Sequence, residues 1–562
     1  MIWQPYNGDQ YIDFPALEHW CKALVDAHPD WFALEEIGKS LHGKPILLVT
    51  VGEQDSDLHQ RPAMWLDGGT HAPEWTGVMA VLHTLSRWAE RLASGDESMI
   101  KMFRARTAYV APCISPDGFQ AMCEGTPFIR SSLRPAKAGT HAVGLRPKDL
   151  TGDGGIRWMR WKHPAGPWVI DPEVPMWMRH RRLDDDSEEA YFFCTEGTFD
   201  HWDGVRWTNA SLEYGLDLNR NFPGSWQPFS MFGMDGGAYP LSEPESRAVV
   251  DAVHARPNIA VALSNHTYTG CILTQPYRDP SPLSTADINL FESLASAAVE
   301  GTGYKVIKVN PDFVYDPKVD IVGVWSDTLS TTFGIPGYTL ELWSPYGFAG
   351  IDIEKPAEFF RKPDPDLIRR LIAAFSKDAS SVSPWAQFSH PQLGEIEVGG
   401  IDYMRTVRNP PTALLPIEVA RGAAVADRML ASTPELDVKI QTNVDGTDII
   451  VDVIVENLGF LPTAASMHAE QLNLVPPIRL DATFGEGLYR VDGEPTQLLG
   501  HLAGWGSLQM GPARHAIYPR LGDTGPRARG RWIVRGKGAL TIRWTGTRAG
   551  NGSLTFEIDE GA

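Results

Sequence analysis

"RPAMWLDGGTHAPEWTG", residues 61–77, runs from an apolar segment bounded by Pro and Gly, through a short polar elbow, into a helix start. Residues 61–69 read as a short buried strand. From Trp75 to Arg91 apolar residues recur at helical spacing. A strand handing over to a helix is the repeating unit of an α/β domain. The elbow itself carries His71 and Glu74, three positions apart. With 16 histidines in the chain, and a roughly 6% frequency of Glu at any position, about one such pair arises by chance. The pair gains meaning only from what the rest of the chain supplies.

The same alternation extends on both sides. "FPALEHWCKALVDAH" (14–28) is a helix stopped by Pro29, and "KPILLVTVG" (44–52) is a buried strand. "RTAYVAPCISPDG" (106–118) is a strand running into a turn. "AVALSNHTYTG" (260–270) is a buried strand that ends at His266, and "STADINLFESLASAAVEGTG" (284–303) is a helix with a Gly stop. "IPGYTLELWSPYG" (335–347) is a strand carrying Glu341, and "PDLIRRLIAAFSKDA" (365–379) is a closing helix. The pattern predicts an α/β domain, a mixed sheet flanked by helices, over residues 1–385. Residues 131–215, rich in Trp, Pro, Gly and charge, are expected to form a long insertion of surface loops. Beyond 385 the character changes. Residues 436–456, "LDVKIQTNVDGTDIIVDVIVE", alternate apolar and polar around a DG turn, and residues 531–559 repeat that style. Residues 386–562 are therefore read as a β-rich, sandwich-like domain with few helices.

Composition narrows the function classes. At 562 residues, 43% hydrophobic and 10% aromatic, the chain is long enough for two to four domains with large cores. The net charge of −20 opposes binding to nucleic acid or to anionic membranes. No basic, apolar leader opens the chain and no run reaches ~18 apolar residues, so a cytoplasmic protein without a membrane span is expected. The five cysteines have no C-x-x-C spacing and are expected to be free thiols. Oligomeric state is not legible.

A catalytic zinc site uses three protein ligands and keeps one position open. His71 and Glu74 offer a close pair, and His266, at a strand end, offers the distant third. Together with Asn219–Arg220, His266–Tyr268 and Thr339–Glu341–Leu342, in that order, the pattern resembles the M14 zinc metallocarboxypeptidases over about residues 10–380. "SPDG" (115–118) and "SEPES" (242–246) look like further landmarks of that family.

The resemblance implies a set of roles. One Zn²⁺ is held by His71, Glu74 and His266, and Glu341 is the general base. Arg130 stabilises the oxyanion, with Arg134 as its nearby competitor. Asn219 and Arg220 grip the substrate's free C-terminal carboxylate, for which a guanidinium fork is suited. Tyr268 belongs to the substrate-binding set, and Asp217 accepts the ring N–H of His71. Tyr315 is the nearest candidate for the family's mobile tyrosine, although its register is off. Ser326 occupies the position that sets side-chain preference, with Arg278 as a neighbour that could favour acidic residues. "DLTGDGG" (149–155) begins like a calcium loop but has Arg160 where an EF-hand has its closing Glu, so a tight Asp-Gly turn is the favoured reading. The expected activity is hydrolysis of the C-terminal peptide bond of peptides. Two alternatives stay open: a zinc deacylase or amidohydrolase acting on a small acyl-amino acid or peptidoglycan peptide, and an inactive peptide-binding protein. The presence of Glu341 weighs against the second.

Overall fold

The structure, a computed structural model, describes residues 3–135, 143–231, 233–314, 316, 320–377, 381–510, 517 and 525–559. Its centre is a mixed eight-stranded sheet. The strands are β1 (Phe32–Lys39), β2 (Pro45–Val51), β3 (Ala63–Gly68), β4 (Thr107–Ala111), β5 (Ile259–Thr267), β6 (Cys271–Thr274), β7 (Lys305–Lys308) and β8 (Gly337–Leu342), in the spatial order β1-β2-β4-β3-β5-β8-β6-β7. The middle strands β4, β3, β5 and β8 run parallel. They are buried almost throughout, as their unbroken apolar sequences require for strands covered on both faces. Helices α1 (Phe14–Ala27), α2 (Trp75–Ala93), α3 (Pro244–His254), α4 (Thr285–Val299), α5 (Trp325–Thr331) and α6 (Leu415–Ala431) flank this sheet. An α/β unit on a mixed sheet, followed by a β-rich C-terminal region, is the architecture expected from the sequence.

The hand-over at residues 61–77 is set by close packing. A Cβ on Gly68 would lie 2.8 Å from the carbonyl oxygen of Gly77, and one on Gly77 would lie 2.6 Å from that of Asn265. Only glycines let the first turn of α2 sit directly on the ends of β3 and β5. Both strands deliver their carboxyl ends to the same side, where ligands gather in α/β sheets.

Two stretches differ from expectation. Residues 131–215 are not only loops. Trp158–Lys162, Trp168–Ile170, Met178–His180 and Tyr191–Thr195 form an antiparallel sheet with Val382–His390 and Gly394–Ile401. Its aromatic side chains pack edge to face, for example Trp158 with Phe193 at 5.3 Å and Trp168 with Phe193 at 5.4 Å. The second is residues 402–431. This stretch supplies a wide helical turn (Met404–Arg408) and then α6, whose Val419, Val425, Ala426 and Met429 enter the same apolar core as α2. Leu415, Val419, Ala423, Ala426 and Leu430, spaced three or four apart, explain α6 once residues 415–431 are read by themselves.

The β-rich region proper spans Leu436 to Ile558. It consists of two four-stranded sheets around Val451, Val453, Leu480, Trp532 and Ile542. The expected DG hairpin is present, with Asp445 opposite Asp448 and Gly446 at φ +65°. All five cysteines are free. Among the described residues no helix is long and apolar enough to cross a membrane.

Candidate metal centre and substrate pocket

Glu74 stands at the N-cap of α2, yet its carboxylate makes no capping bond. It turns instead to two imidazoles. His71 Nδ1 lies 3.0 Å from Glu74 Oε1, His266 Nδ1 lies 2.9 Å from Glu74 Oε2, and the two Nδ1 atoms are 3.0 Å apart. All three residues are buried. They are the one group of potential metal ligands of this kind among the described residues.

Hydrogen bonding on the far side of each ring decides what these atoms are. His71 Nε2 is 3.2 Å from Asp217 Oδ1, and Asp217 is held ionised. Burial opposes that ionisation, but Arg130, Arg220 and His71 outweigh it and keep the carboxyl well below its usual range. The carboxylate can only accept, so Nε2 carries the proton. His266 Nε2 faces Ser264 Oγ at 3.2 Å, whose own hydroxyl is donated to Asp67. Ser264 therefore accepts from His266. Both Nδ1 atoms then present bare lone pairs to each other and to a carboxylate. Glu74 is buried between them, and only positive charge beside it keeps its carboxyl below the usual range against that burial. Such a buried triad calls for a cation at its centre. Donors around a tetrahedral zinc, at 2.0–2.1 Å, stand roughly 3.3 Å from one another. The separations here are close to that, and two imidazoles plus one carboxylate suit Zn²⁺. The residues fit the metal.

The remaining groups surround a pocket of about 290 Å³ lined by Glu74, Arg130, Arg220, Glu341 and Arg408, among others. Glu341 sits opposite His266 in the β5–β8 register, which carries it to the same sheet end. Burial raises its carboxyl to about 7, and the neighbouring Glu74 adds to the rise. Arg130 bonds Glu74 Oε1 at 3.0 Å and Asp217 Oδ2 at 3.3 Å, so it is fixed beside the metal triad. Arg134 pairs instead with Glu243, away from the triad. Arg220 donates to the carbonyl of Asn219 at 2.6 Å and stacks 5.1 Å from the Phe229 ring. Its Nε is buried and has no partner among the described residues. Gly236 and Gly323 leave room for its backbone, since a Cβ on either would meet Arg220 O at 2.6 or 2.4 Å. Asn219 uses its side-chain oxygen to accept from Trp325 N at 2.9 Å.

Tyr268 lines the pocket. Ser326 does not. Its hydroxyl is buried against Tyr277 and against Thr339 at 2.9 Å. Arg278 acts electrostatically on Asp327 and is likewise outside the lining. Tyr315 lies outside the described residues. The Asp149–Asp153 stretch forms a turn, with Asp149 accepting from Gly152 N at 2.7 Å and Gly154 N at 2.8 Å. Sequence reasoning missed Arg408, which has no motif around it. It also missed Phe128, Phe229, Met231 and Met234, which give the pocket an apolar wall.

Comparison with known proteins gives the following. The zinc carboxypeptidase family model matches residues 17–158 and 175–349, and a domain of unknown function matches 436–557. The chain is 30% identical to carboxypeptidase A6 of Mus musculus over 278 residues, covering 48% of this chain and 46% of that protein. It is 28% identical to carboxypeptidase B of Astacus astacus over 109 residues, covering 19% of this chain and 34% of that protein. The chain thus spans between a third and a half of the length of these curated relatives. A crystal structure of thrombin activatable fibrinolysis inhibitor is similar at 16% identity and a TM-score of 0.42, covering 76% of this chain and 77% of that one.

Proposed function

The chain belongs to the zinc carboxypeptidase family, and on that premise we propose that it hydrolyses the C-terminal peptide bond of peptides or peptide-like molecules bearing a free terminal carboxylate. The observation that carries this reading is the convergence of His71, Glu74 and His266 beside one pocket that also holds Glu341 and Arg220.

Held by His71, Glu74 and His266, zinc would supply a Lewis acid that polarises the scissile carbonyl and acidifies water. The protein's own groups do the rest. Arg220, with a buried N–H unpartnered, takes the substrate carboxylate in a charge-assisted pair, and Asn219 lies beside it. The apolar wall of Phe229, Met231 and Met234 receives the terminal side chain and keeps water out. Glu341 takes a proton from water and returns it to the leaving amine. Its burial strengthens its hold on a proton, which suits a group that must take one up and then deliver it. Arg130, pinned by Glu74 and Asp217, faces the oxygen on which negative charge develops.

The test uses N-acylated dipeptides with a free or an amidated terminus. Glu341→Gln should keep its zinc and lose turnover by about 100- to 10,000-fold. Arg220→Ala should weaken cleavage of the free-carboxylate substrate and leave the amidated one little changed. Full activity in Glu341→Gln, or equal loss on both substrates in Arg220→Ala, overturns the reading.

A further inference from the structure

Arg408 lies outside the stretches matched to the zinc carboxypeptidase family, yet it reaches the metal triad. Its path is fixed. Asn409 accepts from both the N–H and the hydroxyl of Thr76 at 3.0 Å and donates to Pro73 O at 2.8 Å. Tyr11 donates to Pro410 O at 2.7 Å. Asn409 is thereby clamped to the elbow that carries His71 and Glu74, and Pro410 to the N-terminal segment.

The guanidinium so delivered is poorly satisfied. Nη1 is 3.4 Å from Glu74 Oε1 and 3.3 Å from Thr267 O, and Nη2 is 3.2 Å from Tyr403 OH. Charge-assisted bonds are usually nearer 2.7–2.9 Å. Its Nε is buried with no partner among the described residues. It packs 5.0 Å from the Tyr268 ring and lines the same pocket as Glu341. A cation held at the wall of a pocket with donors to spare is built for an acceptor that is not part of the chain.

The neighbours of Arg408 and Arg220 say which part of a substrate that is. Arg220 is held by Asn219, Phe229 and the backbone near Gly236 and Gly323. Arg408 is held by Glu74, Thr267, Tyr268 and Tyr403. The two arginines share none of these partners and come from segments far apart in the chain, although they line one pocket. With the terminal carboxylate on Arg220, the wall of Arg408 is left for the portion on the other side of the scissile bond. Resting on the proposed carboxypeptidase reading, we infer that Arg408 is a substrate-binding residue that donates to an oxygen of the acyl portion, with a carboxylate there bound more tightly than a carbonyl.

The experiment compares zinc-loaded wild type with Arg408→Ala and Arg408→Lys. Calorimetry follows the two products separately: an N-acetyl or N-succinyl amino acid, and the free C-terminal amino acid. Arg408→Ala should weaken the N-acyl product by about tenfold to a hundredfold. The loss should be larger for N-succinyl than for N-acetyl, with zinc content and affinity for the free amino acid unchanged. Arg408→Lys should recover part of the N-succinyl affinity. Turnover of N-acetyl and N-succinyl dipeptides should follow through KM. Unchanged N-acyl binding overturns the inference, and so does equal weakening of both products together with zinc loss, which would mark a structural role. If wild type binds N-acyl products through Arg408 but cleaves no dipeptide, the inference stands and the peptidase reading falls. If wild type binds no N-acyl product, the inference falls with it.

Discussion

His266 owes its orientation to a chain of single atoms. Its Nε2 rests on Ser264 Oγ, and Ser264 donates to Asp67, which also accepts from Trp65 Nε1 at 2.7 Å and Trp325 Nε1 at 2.8 Å. Removing the hydroxyl frees the ring to rotate and to choose the other tautomer. Ser264→Ala should therefore lower zinc affinity about 10- to 100-fold, measured by competition with a chelator, while the fold is retained. Glu245 gives a second prediction at this scale, about pH. Burial raises its carboxyl from 4.5 to about 7, with Glu243 and Asp117 adding repulsion. One oxygen accepts from Leu41 N at 3.0 Å and the other has no partner among the described residues. A raised acid favours the protonated form in the folded state, so stability is fully present below pH 4.5 and is lost as pH climbs through 7. Glu245→Gln keeps the bond to Leu41 and removes the charge. It should be more stable than wild type at pH 8 by on the order of 1–3 kcal/mol, with little difference at pH 4.5, as read from urea unfolding at both. The residues legible in the sequence were those with a local signature. His71 with Glu74, Asp217 with Asn219 and Arg220, and His266 each lie within a few positions of a partner in function, and the structure brings them together. Arg408 had no such neighbour. It lies 334 positions from Glu74, and one arginine among many carries no spacing to read.

At the scale of elements, the metal centre depends on how closely α2 approaches β5. Gly77 is the contact, with no room for a methyl group beside Asn265 O. Gly77→Ala would push the first turn of α2, and Glu74 with it, off the carboxyl end of β5. The expected cost is about 1–3 kcal/mol of stability, together with weaker zinc binding, because Glu74 and His266 would separate. Gly95→Ala is the control at the other end of α2: its left-handed backbone, φ +76°, makes the substitution cost stability too, on the order of 1 kcal/mol, but the added carbon meets open space and zinc affinity should stay unchanged. A Gly77→Ala protein that binds zinc as wild type would show that this approach is not what fixes Glu74. The strands that hold the site were readable because they are continuous apolar runs ended by Gly or Pro. Residues 158–195 were not. Their strands are only 3–5 residues long and mix Trp and Phe with charge. Aromatic residues scattered in that way look like loop until their partner strands are known, and two of those partners, Val382–His390 and Gly394–Ile401, lie about two hundred positions downstream. Helix α6 was missed for a related reason: it sits between β-rich stretches that set the character of the whole region.

For the molecule as a whole, polar and apolar contacts together tie the C-terminal sheets to the unit built on the eight-stranded sheet. The alternating pattern of residues 436–456 disclosed the hairpin but not its docking, because the contacts are made outside it: Phe460 and Leu461 enter the core shared with α2, and polar groups complete the joint. Ser466 donates to Gly334 O at 2.8 Å, and Asp287 accepts from Met467 N and His468 N at 2.8 and 3.0 Å. Arg548 is the deepest member of this joint. Its guanidinium donates to Gly334 O at 2.9 Å, Ala464 O at 2.9 Å and Phe333 O at 2.6 Å, and burial lowers its pKa to about 9. Leucine at this position could fill the space but donate nothing. Three carbonyl oxygens would lose a donor, each at about 1–3 kcal/mol if buried, offset in part because no cation need be desolvated. Arg548→Leu should therefore lower the thermal midpoint and open the chain to proteases between residues 431 and 466 first. The metal ligands lie on the far side of that joint in sequence and are held by the eight-stranded sheet. Zinc content and turnover per folded molecule should consequently stay at wild-type values below the transition. Loss of zinc at temperatures where the protein is still folded would mean instead that the C-terminal sheets help to shape the metal centre through the sheet itself.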